Sequence, residues 1–410
     1  MTLRTVVFWL HLLTGTLAGT VIFVMAVSGA LLAFEPQIAA WSERELRTVP
    51  AASTSTPRID LDAIVAQARR AVPEGRPTLV TVRAEPRSSI RVGFGRDRAL
   101  YVDPYTGAVL GTSSKIADAL HTVEDWHRWL GSREIGRPFT GACNLAFLGM
   151  AISGVYLWWP RSSRRGALRA AAVPSLRLRG RARDFNWHNS IGIWCAPLLI
   201  VITLTGTVMS YQWATDLLYR LTGNVPPTPA GMAGGVAQGQ GRPSRPSNDA
   251  PATGESRPTN LAGALARAEQ QVPGWVAITL RLPQRAGAPI VAIVQERASW
   301  HPAPRSQLTL DASTAGVVSW ELFAAQNLGR RLRAWVRPLH TGEAAGIIGQ
   351  AVVGLASTGG AFLVYTGVAL AWRRLGGWFS APRRSSLLRQ QVRGSTRASQ
   401  PRSTTNPSGG

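Results

Sequence analysis

The chain has 410 residues, 45% of them hydrophobic and 16% charged, with a mean hydropathy near zero, a combination that fits neither a disordered chain nor an ordinary soluble enzyme. Its 45 basic residues against 22 acidic ones give a net charge of +23, but no zinc-finger, RNP or basic-zipper pattern accompanies them, which argues against a nucleic-acid partner. Two cysteines, Cys143 and Cys195, exclude a disulfide framework, an iron–sulfur cluster held by four thiolates and a covalently attached c-type haem, which needs C-x-x-C-H.

Four apolar runs divide the chain. The first, Val6 to Phe34 within residues 1–34, is too long for a signal-peptide core and reads as an uncleaved signal anchor. Residues 35–137 follow as an α+β domain. Helical spacing covers Ile59 to Val72, alternation marks strands at Thr78–Ala84, Ser89–Gly93 and Ala99–Asp103, and Asp103-Pro104-Tyr105-Thr106-Gly107 closes the last of them with a turn. The second run, Phe139 to Trp159, gives a span over 138–160, and an Arg-rich link occupies 161–186. The third, Ile191 to Tyr211 within a span over 187–214, holds Pro197, which a span tolerates when neighbours satisfy the freed carbonyl. After a Pro/Gly/Ser-rich linker at 215–258, residues 259–340 renew the α+β order, with a helix at Leu261–Gln271, strands at Val276–Leu282, Ile290–Gln295 and Gln307–Asp311, and a turn through Gly316. The fourth run, Ala345 to Trp372, gives a span over 341–373, and the basic tail 374–410 reads as solvated or resting on anionic lipid. At ~1.5 Å per residue each run can cross a hydrocarbon core of ~30 Å.

Arginine counts set the expected orientation. Arg161, Arg164, Arg165, Arg169, Arg177, Arg179, Arg181 and Arg183 crowd the link before the first acid, Asp184, and eight more follow Trp372 with no acid at all. The positive-inside rule puts both stretches, and both termini, in the cytoplasm, so 35–137 and 212–340 face outward. Trp9, Trp158, Trp159, Trp187, Trp372 and Trp378 then fall at the inner interface and Trp126, Trp129, Trp213 and Trp335 at the outer one, as an aromatic belt at each face.

An internal repeat singles out four of the six histidines. Sliding the first span by 177 residues lays FWLHLLTGTLAG over FNWHNSIGIWCA, so that His11 meets His188, Gly15 meets Gly192 and Ser28-Gly29 meets Thr205-Gly206. Sliding the second by 213 places His127 on His340, Gly136 on Gly349, Gly141 on Gly354, Gly154 on Gly367 and Trp159 on Trp372. Topology then sorts the histidines into one pair per membrane surface, His11 with His188 inside and His127 with His340 outside. Gly15, Gly192, Gly131 and Gly342 leave room beside them for something broad and flat. Two neutral imidazoles from facing helices fill both axial positions of a haem iron, which leaves an electron-transfer site without an open coordination position. Zinc fits less well, since two histidines fall short of three or four ligands. Taken singly, each histidine is equally readable as a snorkelling interface residue. His121 reads as a surface residue and His301 as a loop residue, and the two cysteines as packing residues. Arg128, Arg133, Arg137, Arg333 and Arg337 are placed either to neutralise haem propionates or an anionic ligand, or simply to border the headgroups.

The order of LHLLTG, YVDPYTGAVLG, DWHRWLG leading to SGVYLWWPR, NWHNSIG, and PLHTG leading to YTGVALAW resembles the PepSY-associated transmembrane-helix family over nearly the whole chain, linker and tail apart. The second outer domain departs from the pattern, with LDASTAGVVSW carrying one more residue before its glycine. The resemblance implies a mainly α membrane protein of the bacterial inner membrane: a four-helix bundle with two periplasmic PepSY-like α+β domains. It further implies two haem b groups and electron delivery to periplasmic iron chelates, that is, a ferric siderophore reductase. No G-x-G-x-x-G fingerprint is present, so the donor would be a separate cytoplasmic protein or a quinol. A haem-free, membrane-tethered PepSY module acting on peptidases, or a cytochrome b subunit of another redox complex, are the alternative readings.

Overall fold

A computed structural model describes residues 1–50, 56–96, 98–159, 165–227, 259–285, 287–296 and 305–379. Four of its helices are long and apolar enough to cross a membrane: α1 (Leu3–Leu32), α6 (Arg133–Trp158), α8 (Gly180–Ser210) and α12 (Gly346–Phe379). They pack as a closed ring in the order α1, α6, α8, α12, so α1 and α8 are one diagonal and α6 and α12 the other. Helix α8 starts well before the run that sequence hydropathy marks at Ile191, because Arg181, Arg183 and Asp184 interrupt apolarity without interrupting the helix. His188 therefore lies two turns inside α8. Buried Asp184 accepts from Arg183 at 3.0 Å and from Arg373 of α12 at 2.7 Å, which ties two spans together at the end remote from the sheet, called here the far end.

The remaining elements of the first half are α2 (Glu35–Ser42), α3 (Arg44–Arg47), α4 (Leu61–Ala71), strands β1 (Leu79–Arg83), β2 (Ile90–Phe94), β3 (Arg98–Val102) and β4 (Val109–Thr112), and α5 (Lys115–Trp129). The second half has α9 (Gln212–Leu221), α10 (Leu261–Gln271), β5 (Trp275–Arg281), β6 (Ile290–Glu296), β7 (Arg305–Leu310), β8 (Val317–Glu321) and α11 (Leu328–Thr341), and α7 (Arg165–Ala172) links the halves. Helix α9 takes the first residues of the stretch read as linker. The rest of that linker (228–258), the tail from 380 onward, His301, Arg161 and Arg164 lie outside the described residues.

The two outer segments form one sheet, where sequence reading expects two separate domains. Its order is β4-β3-β2-β1-β5-β6-β7-β8, antiparallel throughout, and the halves meet where β1 pairs with β5 from Leu79 against Arg281 to Arg83 against Ala277. The apolar core is likewise shared. Ile64, Val65 and Ala68 of α4 and Ala264 and Ala268 of α10 lie against Val80, Val92, Ile278, Leu280, Ile290, Leu308 and Leu310, all essentially inaccessible. Each large side chain so buried contributes about 1.5–3 kcal/mol. Asp62 of α4 adds a polar clasp, its carboxylate accepting from the backbone N–H of Leu261 and Ala262, both at 3.1 Å, at the positive N-terminal end of α10.

Both sheet halves close on the same turn. In the first, the Asp103 carboxylate accepts from the N–H of Tyr105 and Thr106, and Gly107 stands in the left-handed region at φ 73°. In the second, Asp311 accepts from the N–H of Ser313 and Thr314, and the left-handed residue is Ala315 at φ 55°. The extra residue before glycine in LDASTAG therefore does not lengthen the turn; Ala315 fills the position of Gly107 and Gly316 follows it.

Candidate functional site

The four histidines selected by the repeat occupy two levels of the bundle. His11 lies on α1 and His188 on α8, the diagonal helices, near the far end. His11 packs its Cε1 over Gly154 of α6 and His188 packs its own over Gly367 of α12. Near the sheet, His127 belongs to α5 and His340 to α11. These two helices end in left-handed residues, Leu130 with Gly131 after α5 and Gly342 after α11, which turn the chain sharply into the next span. That turn folds α5 back along α1, so His127 faces Gly29 and Ser28. On α1 the levels of His11 and Ser28 are seventeen residues apart, about 25 Å at ~1.5 Å per residue.

In all four cases Nδ1 faces a hydroxyl on a neighbouring span. The separations are 2.9 Å from His11 to Ser153, 2.9 Å from His188 to Thr366, 2.9 Å from His127 to Ser28 and 3.1 Å from His340 to Thr205. His340 Nδ1 also lies 2.8 Å from the carbonyl oxygen of Ile202. With Nδ1 engaged, Nε2 is the nitrogen left to meet a ligand. The ring centroids of His127 and His340 are 6.4 Å apart with their planes at 65°. A metal held between two imidazoles needs about 2 Å for each metal–nitrogen bond, and about 1 Å more lies between each nitrogen and its ring centre. The sum, about 6 Å, fits this separation.

Both rings line a cavity of about 420 Å³ whose apolar wall includes Ile22, Met25, Phe147, Leu199, Ile202 and Val353, of a size usual for cofactor sites. Arg128, Arg133, Arg137, Arg333 and Arg337 all line it, as do Glu35 and Glu124. Glu124 accepts from Arg128 and Arg96, both at 2.8 Å. Burial alone would raise its carboxyl, but the bond from Arg96 and the two positive charges outweigh that and hold it below the usual range. Burial raises the Glu35 carboxyl, and Glu124 adds to the effect. Burial and then the charge of His340 pull the His127 imidazole down to about 4, and burial lowers His340 as well, so both are neutral at pH 7, the form that ligates metal. Among the described residues no group of three or more His, Cys, Asp or Glu is placed to hold a bare metal ion. The protein offers two nitrogens per pair, which suits a group that brings four ligands of its own.

Several surroundings differ from the sequence expectation. Gly15 faces Met150 and Gly192 faces Leu363, while Gly131 and Gly342 serve the two turns, so none of the four makes room beside an imidazole; Gly154, Gly367 and Gly29 do. Trp129 is no interface anchor. It is buried, and the guanidinium groups of Arg96, Arg128 and Arg133 stack on it with 4.8, 4.4 and 4.8 Å to the ring centre. His121 shares α5 with His127 but does not line the cavity. Cys143 and Cys195 are free thiols, Cys143 on the cavity wall and Cys195 against Gly359. Sequence reading missed the four hydroxyl partners, although Ser28 over Thr205 was in view in the alignment and Ser153 over Thr366 follows from the second slide.

A family model described as the PepSY-associated TM region matches residues 8–374, from Phe8 of α1 to Arg374 of α12, the whole sheet included. No curated protein matches the chain.

Proposed function

The chain belongs to the family of the PepSY-associated TM region, and from that membership and the paired imidazoles we propose an inner-membrane electron-transfer protein that binds two haem b groups and reduces ferric siderophores in the periplasm. His11 with His188 would hold one haem and His127 with His340 the other. The observation that carries this reading is the 6.4 Å separation of His127 and His340 on the wall of a cavity rimmed by arginines. Haem held by two histidines supplies one-electron chemistry with no open position for oxygen. The protein's own part is to present neutral imidazoles, to exclude water with an apolar wall, and to meet the propionates with Arg128, Arg133, Arg137, Arg333 and Arg337.

The two halves are read as an internal repeat, and the arginines of the α7–α8 link together with Arg373 and Arg374 put the far end and both termini in the cytoplasm. The sheet then lies in the periplasm above the second pair. A ferric chelate is a fitting acceptor there, because hard oxygen donors such as hydroxamates hold ferric iron far better than ferrous iron, so one electron loosens the complex. The donor is a separate cytoplasmic protein or a quinol.

The detergent-purified protein should show split α-bands of b-type cytochromes on dithionite reduction, and ferric hydroxamates should reoxidise it. His127→Ala or His340→Ala should remove one haem of the two, and His121→Ala neither. A featureless spectrum would favour the haem-free binding module instead.

A further inference from the structure

We propose that Ser28, Ser153, Thr205 and Thr366 are positioning residues that fix each histidine as its Nδ1–H tautomer and so present Nε2 to the iron. The inference rests on the haem reading above. A hydroxyl has one proton, and in each residue a carbonyl of its own helix stands within reach to accept it. Ser28 Oγ donates to Val24 O at 2.6 Å, Ser153 Oγ to Met150 O at 3.1 Å, Thr205 Oγ1 to Val201 O at 2.7 Å and Thr366 Oγ1 to Phe362 O at 2.9 Å. With the proton given to that carbonyl, lone pairs face the imidazole, which favours the hydrogen on Nδ1 and the free pair on Nε2. Serine and threonine bond back to carbonyls in many helices. That habit explains where the hydroxyl proton goes; it does not explain an imidazole nitrogen within 2.9–3.1 Å of the oxygen in all four cases. The hydroxyls also obey the offsets of the histidines they serve: 177 residues relate Ser28 to Thr205, and 213 relate Ser153 to Thr366.

An acceptor at Nδ1–H raises the basicity of the ligating nitrogen and favours ferric over ferrous iron. Removing it should raise the midpoint potential of that haem and weaken its retention by roughly 10–100-fold; a tenfold loss of ferric preference reads as about 59 mV. The four sites should not respond equally. His11 has only Ser153, whereas a backbone carbonyl also reaches the other three rings: Ile202 O at 2.8 Å for His340, Met25 O for His127 and Leu363 O for His188. The experiment is a redox titration of full-length protein carrying Ser153→Ala, Ser28→Ala, Thr366→Val or Thr205→Val, followed by absorbance. Support would be an upward shift confined to one haem, largest for Ser153→Ala and smaller for the other three, and absent in the swaps Ser153→Thr and Thr366→Ser, which keep the hydroxyl. Two wild-type haems with unmoved midpoints in all four variants would overturn the inference alone. A wild-type chain without haem absorption would overturn the haem reading and this with it.

Discussion

Glu43 joins three elements at the base of the sheet through one buried carboxylate. It is 4% exposed, and its Oε2 accepts from Tyr101 Oη at 2.6 Å and Arg47 at 2.7 Å while its Oε1 accepts from the Ser114 N–H at 3.3 Å, so α3, β3 and the start of α5 meet on one side chain. Burial by itself would raise the carboxyl, but the bonds from Tyr101 and Arg47 outweigh it and keep it below its ordinary value. A depressed folded value contributes stability above the unfolded value and loses it as pH falls through the folded one. Glu43→Gln should therefore cost about 2–3 kcal/mol near neutrality, with the gap to wild type narrowing below about pH 4.5. Thermal unfolding across pH checks this, and an equal deficit at pH 3 and pH 7 would count against it. Nothing in the stretch SERELR points to such a role. The histidines were legible because they are few and repeat-related; their hydroxyl partners were not, because a linear reading gives the level of a residue along a span but not the direction it faces.

At the scale of elements, the spans and the inner strands followed from apolar runs and alternation, while β4 and β8 went unread. VLGT holds a glycine, and VVSWE is exposed or half-buried throughout, so neither strand alternates. The turns leading into them make a sharper test. A left-handed backbone strains any side chain, yet a Cβ at Gly107 would meet only Ile59 Cδ1 at an ordinary 3.5 Å, so conformation rather than crowding decides there. Ala315→Gly should stabilise the sheet and Gly107→Ala destabilise it, each by up to about 1 kcal/mol. Opposite movements of Tm in the two variants are the expected result; a lower Tm for Ala315→Gly would show that the alanine methyl, buried in the shared core, matters more than its φ.

On the scale of the molecule, the bundle was readable but the joint between the halves was not, because β1 and β5 are about two hundred residues apart and nothing local tells an edge strand which partner it will take. That joint has a consequence for both histidine pairs. Each pair draws one imidazole from either side of residues 160–164, so neither half holds a complete site. Five backbone-paired positions between β1 and β5, the Asp62 clasp on α10, and the packing of α6 on α8 and of α1 on α12 all cross between the halves. Residues 1–164 and 165–410 expressed together as separate chains should therefore copurify in detergent and regain both haems, whereas either chain alone should bind none. Pull-down through a tag on one half, followed by a dithionite difference spectrum, gives the answer. A lone half with the absorption of a six-coordinate haem would mean that its ligands are not shared between halves, and the pairing of His11 with His188 and His127 with His340 would fall.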